Sequence, residues 1–325
     1  MRKPKITVIG GGTGIPVILK RLRSEDVEIN AVVTVADDGG SSGKIRNAMQ
    51  LAPPGDLRNV LLALSDMPKL YEQVFQYRFN KEDGALAGHP LGNLIIAGIS
   101  EMQGSISNAM QILSQLFHTT GKIFPSSEHA LTLHAVFKDG HVVSGESHIA
   151  NYQGMIDHVY VTNSYNDQDP KASHQVVEAI MNSDMIVLGP GSLYTSILPN
   201  LVIPEIKEAL KATKAEIVYI CNIMTQYGET EHFSDADHVA VLNRHLGDNL
   251  IDTVLVNLDQ VPQDYMDYNK FDEYLVQVEH HFSELNRLVK KVISSNFLRL
   301  ENGGAFHDGD LVVEELMTLV KERRL

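Results

Sequence analysis

A doubly wound α/β fold around a mostly parallel sheet is what this 325-residue sequence predicts. Three observations carry that expectation. Short, almost wholly apolar runs recur: ITVIG (6–10), EINAVVTVA (28–36), MIVLG (185–189), EIVYIC (216–221) and IDTVLVNL (251–258). Strands this apolar are covered on both faces, as in a parallel sheet between two helix layers. Helical patterns lie between them, with leucines and methionines at helical spacing over about 55–79 and 90–118,. Glycine turns follow the first and third runs, where a strand must hand over directly to a helix,.

Each further segment fits that scheme. From about 122 to 163 the pattern changes to alternation around an Asp139-Gly140 turn, which predicts an antiparallel hairpin inserted in or added to the sheet,. PKAS (170–173) introduces a helix before MIVLG, and LVVEELMTLVKERR (311–324) closes the chain as a helix with a basic last turn,. No low-complexity linker or internal repeat divides the chain, so residues 1–325 read as one α/β domain with a helical and a hairpin insertion,.

Charge and composition exclude several classes of partner. A formal net charge of -14 argues against nonspecific binding to nucleic acid, which needs a basic surface to displace counterions,. The apolar run near the N-terminus is broken at Gly10, so neither a signal peptide nor a membrane span is expected,. The lone Cys221 excludes an internal disulfide and fits a reducing, cytoplasmic setting,. Cys221 reads as a buried inert thiol, and the 14 histidines include no metal-binding spacing; His280 and His281 are expected on two sides of a helix,. An anionic ligand must therefore be held by a local site.

The first turn is the strongest candidate for one. Gly10, Gly11, Gly12 and Gly14 lie between a strand and a helix whose first turn carries Pro16, a position where the missing N–H is harmless,. Main-chain amides there approach a phosphate closely, the helix N-terminus adds partial positive charge, and Thr13 offers a hydroxyl. The dinucleotide pattern G-x-G-x-x-G fails at Ile15, and no Gly-Lys-Ser/Thr follows, so the turn is phosphate-like without being either standard motif,. A tight structural turn is the alternative.

Four further stretches add polar groups. VADDGGSSGKIR puts Asp37 and Asp38 at the end of the second strand, where paired carboxylates hold Mg²⁺ or accept hydrogen bonds from ribose hydroxyls,. Ser41 begins a helix there, and Arg46 either balances the carboxylates or contacts a diphosphate,. LAPPGDLRN offers Asp56 and Asn59, and GHPLGN offers His89 and Asn93, at helix starts,. LGPGSLYTSILPN repeats the opening pattern with Gly189, Gly191 and Ser192, so two phosphate-friendly turns would share the carboxyl edge of a parallel sheet,. Tyr265 is placed to stack on a base and Arg299 to reach a diphosphate, though packing and surface roles fit them equally,.

Taken together, GGGTG, VADDGGSSGKIR, PPGDLRN, GHPLGN, LGPGSLYTSI and CNIMTQYGET, in this order along the whole chain, resemble the gluconeogenesis factor family, relatives of the 2-phospho-L-lactate transferases of deazaflavin-cofactor synthesis. The resemblance implies a Rossmann-like fold and a cytoplasmic regulatory protein, needed for gluconeogenic growth and cell shape, that binds a nucleotide sugar of the UDP-N-acetylglucosamine kind. Homo-oligomerisation and regulatory protein partners are compatible with that role. It also implies that Gly11, Gly12, Thr13, Asp37 and Asp38 lie by the ligand and a divalent metal. Where the transferases carry a tryptophan-rich, Asp-Arg-Asp type segment, this chain has YRFNKEDGALAGHPLGN (77–93) and no tryptophan. A Mg²⁺-dependent phospholactyl or phosphoryl transferase is the alternative function. NAD, with its ribose-linked diphosphate, fits the same crevice.

Overall fold

The computed structural model describes residues 2–262 and 264–323. In chain order, β1 (Lys5–Gly10) leads to α1 (Ile15–Leu22), β2 (Glu28–Val33), α2 (Gly40–Met49), α3 (Gly55–Leu64), α4 (Lys69–Gln76), α5 (Leu91–Gln103) and α6 (Ile106–Leu116). Then come β3 (Gly121–Pro125), β4 (Leu131–Phe137), β5 (Val142–Ser144), α7 (Glu146–Ile149), β6 (Ile156–Asn163) and α8 (His174–Met181). β7 (Met185–Leu188) is followed by α9 (Leu198–Leu201), α10 (Pro204–Ala212), β8 (Glu216–Ile220), β9 (Met224–Gln226), α11 (Asp235–Leu246) and β10 (Thr253–Asn257). The chain ends with β11 (Tyr274–Gln277), α12 (Phe282–Leu288), β12 (Lys291–Ser295), β13 (Leu298–Glu301), β14 (Gly304–His307) and α13 (Gly309–Glu322).

Seven strands form the central sheet in the order β12-β10-β8-β7-β1-β2-β3, and every neighbouring pair is parallel. From β1 the chain builds outward through β2 and β3 on one side, then returns to lay β7 against the other side of β1 and continues outward. The boundary between β1 and β7 is thus the switch point of a doubly wound sheet, the place where such folds open a crevice beyond the carboxyl ends of their strands.

The five apolar runs all became strands of this sheet. Every residue of β7 and β10 is buried, as helices on both faces require,. One hydrophobic cluster joins Ile9 of β1, Ile15 of α1, Leu61 of α3, Leu188 of β7, Leu242 of α11 and Leu316 of α13. Side-chain caps set several helix starts: Ser105 accepts the Asn108 amide, Ser173 the Val176 amide, and Ser234 with Asp237 forms a capping box,.

The region from 122 to 163 departs from expectation. Its first strand, β3, joins the parallel sheet as an edge, while β5, β4 and β6 form a separate antiparallel sheet. Alternation in β4 places Leu131, Leu133, Ala135 and Phe137 inward, so that sheet packs one face on the body,. The second strand ends at Val33, three residues earlier than its apolar run, although the Thr34 amide still donates to the Gly10 carbonyl. His280 and His281 are not on a helix: they precede α12, where His280 pairs with the buried Asp235. In α13, Lys321 provides the basic last turn, and Arg324 lies outside the described residues.

Candidate functional site

The two glycine turns meet at the switch point. Because Ile9 of β1 pairs with Leu188 of β7, the turns that follow those strands emerge side by side. Their packing leaves no room for side chains. A Cβ on Gly14 would stand 2.0 Å from the Pro190 carbonyl oxygen, and one on Gly12 would stand 2.2 Å from the Asp56 Cα. The second turn passes through a cis Gly189-Pro190 peptide, with Gly189 at φ +77°,.

The turns leave main-chain donors unspent. Among the described residues, the amides of Thr13, Gly14, Gly191 and Ser192 make no hydrogen bond, and α1 directs its N-terminus at the same space,. The Gly12 amide instead faces the Asp56 carboxyl. Thr13, Gly14, Gly191 and Ser192 line one wall of a cavity of about 460 Å³, within the size range of small-molecule sites. Ser192 Oγ accepts a 2.9 Å hydrogen bond from Gln226 Nε2, which fixes the hydroxyl at the cavity mouth.

Carboxyl groups form the facing wall. Asp37, Asp38, Glu146 and Glu229 line the cavity, and its lining includes no lysine or arginine among the described residues. Burial raises the Asp37 carboxyl, although it accepts the Gly39 amide at 2.8 Å and the Ser42 hydroxyl. Asp56, behind the first turn, is pushed up to about 6 by burial and then by Asp37. Glu146 is raised well above the usual carboxylate range by burial, then by Asp37, Asp56 and Glu229. Glu229 reaches about 7 through burial, while the Thr195 hydroxyl (3.0 Å) and the Tyr194 amide (3.3 Å) hold its two oxygens. Burial is the first cause of each shift, and neighbouring carboxyls raise Asp37, Asp56 and Glu146 further,.

The antiparallel insertion closes this wall. Asp38 Oδ1 accepts the Ser147 amide at 3.0 Å, seating α7 over the Asp37–Gly39 loop. Gly145 makes that approach at φ +95°, where a Cβ would meet Asp38 Oδ2 at 2.4 Å. Apolar side chains complete the lining: Ile223, Met224, Tyr274, Ala305 and Phe306, with Glu273 beside Tyr274, and Phe271 braces both Tyr274 and Phe306. His307, pushed down to about 4 by burial, lines the cavity as a neutral ring bonded to the Cys221 carbonyl. Cys221 is buried, and burial pushes its thiol up, as an inert core thiol requires,.

Several sequence candidates serve this cavity from behind. Ser41 Oγ joins His89 Nδ1 (2.8 Å) and Asn93 Nδ2 (3.1 Å), while Arg58 donates to Asn93 (2.9 Å) and Asn59 (2.8 Å). Three separate motifs are thus one hydrogen-bonded network bracing α2, α3 and α5, and none of its members lines the cavity. Arg46 is buried and donates to the Ala36 and Asp37 carbonyls, Thr132 and Ser164, so it fastens the acidic loop to β4 rather than facing the cavity. Tyr265 and Arg299 are outside the lining; Arg299 sits on β13 paired with Glu301 at 2.7 Å. The aromatic groups at the cavity are Tyr274 and Phe306, which sequence reasoning missed because they lie on short strands with no apolar run. Glu146 was missed because it opens a four-residue helix, α7, that carries no motif. Gln226 and Glu229 fall inside CNIMTQYGET, so their sequence signal lies in that motif.

Fold and cavity together define a Rossmann-like α/β protein with a crevice at the switch point of its sheet. The chain belongs to the family whose model is described as 2-phospho-L-lactate transferase CofD, which matches residues 6–298. It is 80% identical over 321 residues to a Streptococcus pyogenes serotype M3 protein named "Putative gluconeogenesis factor", covering 99% of each chain. A Listeria innocua serovar 6a protein named "Gluconeogenesis factor" is 44% identical over 321 residues, covering 99% of this chain and 97% of that one. Among solved structures, the crystal structure of protein BH3568 from Bacillus halodurans has a TM-score of 0.92 at 39% identity, covering 97% of this chain and 100% of that one. No described helix is long and apolar enough to cross a membrane.

Proposed function

We propose that this protein is a regulator of gluconeogenesis that binds a nucleotide sugar of the UDP-N-acetylglucosamine kind together with a divalent cation. The observation that supports it best is the pairing of four unspent amides with a carboxyl wall in one crevice. The amides of Thr13, Gly14, Gly191 and Ser192 suit diphosphate oxygens. The apolar lining with Tyr274 and Phe306 suits the base.

Carboxyls alone would repel the diphosphate, so a cation belongs between them. Among the described residues no group of three or more His, Cys, Asp or Glu side chains is arranged to hold a metal. Mg²⁺ does not need one: it is commonly held by one or two carboxylates plus phosphate oxygens and waters. Asp37 and Asp38 fit that role, and the cation would neutralise the diphosphate. The names of the relatives support the gluconeogenic role. Sites outside membranes and a cytoplasmic setting fit the composition.

Calorimetric titration with UDP-N-acetylglucosamine and Mg²⁺ tests the reading. Wild type should bind, and Thr13→Ala and Asp38→Asn should each weaken binding roughly tenfold, about 1.4 kcal/mol. Unchanged affinity in both variants would remove the site from this crevice. The family description supports a second reading, a phospholactyl-type transferase, in which Glu229, poised near neutrality, serves as the proton acceptor,. Mg²⁺-dependent turnover of labelled nucleotide would favour that reading; binding without product favours the regulator.

A further inference from the structure

Away from the crevice, one helix turns its larger apolar face to solvent. Of the eight residues of α4, only Phe75 is buried. Its ring is the anchor: it packs edge-to-face on Phe117 at 4.9 Å and covers Gly92 of α5, where a Cβ would stand 2.5 Å from the Phe75 Cδ1. Leu70, Tyr71, Val74 and the C-cap Tyr77 are instead 44–65% exposed. Their spacing of i, i+1, i+4 and i+7 puts them on one side of the helix. Leu86, in the segment that follows, is exposed as well. A helix this short is not stable alone in water and persists through packing of an apolar face. One anchored ring leaves most of that face uncovered, and a contiguous stripe of two tyrosines, a leucine and a valine has the composition of an interface core.

Charge points to the occupant. With a net charge of -14, the chain repels a copy of itself over most of its surface,. Residues 69–89 are the exception: Lys69, Arg78 and Lys81 balance Glu72, Glu82 and Asp83, so the segment is neutral. On α4 the exposed polar residues are Lys69, Gln73 and Gln76, while its one acid, Glu72, is half-buried and accepts from Gln76 at 3.1 Å. Two like-charged chains can meet where neither presents a bare carboxylate. We propose that the α4 stripe is the contact between two copies of this chain, packed antiparallel about a two-fold axis near Val74. Such an axis makes one surface serve both sides, so a single self-complementary stripe is sufficient. It also turns Lys69, at each helix N-terminus, towards the C-terminal turn of the copy, where the helix dipole is negative.

The test is sedimentation velocity of the full chain over about 1–100 µM. Wild type should form a dimer with a dissociation constant below about 10 µM. Val74→Glu and Val74→Lys each set like charges against one another across the axis and should each weaken the dimer roughly tenfold or more. Mixed in equal amounts, the two variants should recover a dimer within about threefold of wild-type affinity, because opposite charges then face each other. That recovery separates a broken contact from a broken fold, since unfolded chains would not pair again. Met181→Glu, at an exposed apolar position on α8, should leave the dimer unchanged. Wild type that stays monomeric at the highest concentration leaves the stripe to a different partner and overturns the proposal. A dimer that both Val74 variants leave intact, one lost equally with Met181→Glu, or a mixture that does not recover overturns it as well.

Discussion

Single residues decide whether the crevice exists. A methyl group on Gly14 would collide with the Pro190 carbonyl, which is backbone and has nowhere to go. Gly14→Ala should therefore cost roughly 2–3 kcal/mol of stability, at the upper end of ordinary overpacking, with loss of nucleotide binding; a denaturation midpoint equal to wild type would contradict the packing described. Glu229 makes a pH-dependent prediction. Its carboxyl is raised from 4.5 to about 7 in the folded chain, so between those values the folded state binds more protons than the unfolded one. Stability from this group is therefore lost as pH rises through that window. Glu229→Gln removes the penalty, and between pH 5 and pH 8 it should gain on wild type by on the order of 2 kcal/mol. Guanidinium midpoints at the two pH values check this, and a constant offset would show that Glu229 ionises normally. The glycines, Thr13 and the paired aspartates were legible because backbone-level demands leave a residue-type signature. Glu146, Tyr274 and Phe306 were not, since ordinary residues on short elements become a wall only through tertiary placement.

Whole elements show the same division. Strands buried on both faces announced themselves as apolar runs, whereas the edge strands β3 and β12 did not: their half-exposed residues carry too little apolar signal to be told from a loop,. The insertion was read as a hairpin from its alternation, but nothing local states that its α7 folds back onto Asp38. Arg46, in the last turn of α2, ties the acidic loop to β4 and to Ser164. Arg46→Met keeps the apolar bulk but leaves two main-chain carbonyls and two hydroxyls without their donor. It should destabilise the chain by roughly 3 kcal/mol. Hydrogen exchange should accelerate in β4 and α2 ahead of β7 and β10; uniform acceleration would mean that the arginine supports the core generally.

At the scale of the molecule, a chain of net charge -14 concentrates carboxyls around the crevice proposed to take an anion. The apparent conflict resolves if the ligand arrives with its own positive charge, seated between the amides of two turns and the aspartates facing them. The doubly wound topology makes this arrangement available, because the β1/β7 boundary brings the two glycine turns together. The most direct measurement is a crystal structure of the chain soaked with UDP-N-acetylglucosamine and Mn²⁺, with the cation located by its anomalous signal. The account predicts diphosphate oxygens about 3 Å from the Thr13, Gly14 and Gly191 amides, with the metal between them and Asp37 or Asp38. A diphosphate bound elsewhere, or seated in the crevice with no cation beside those aspartates, would contradict it.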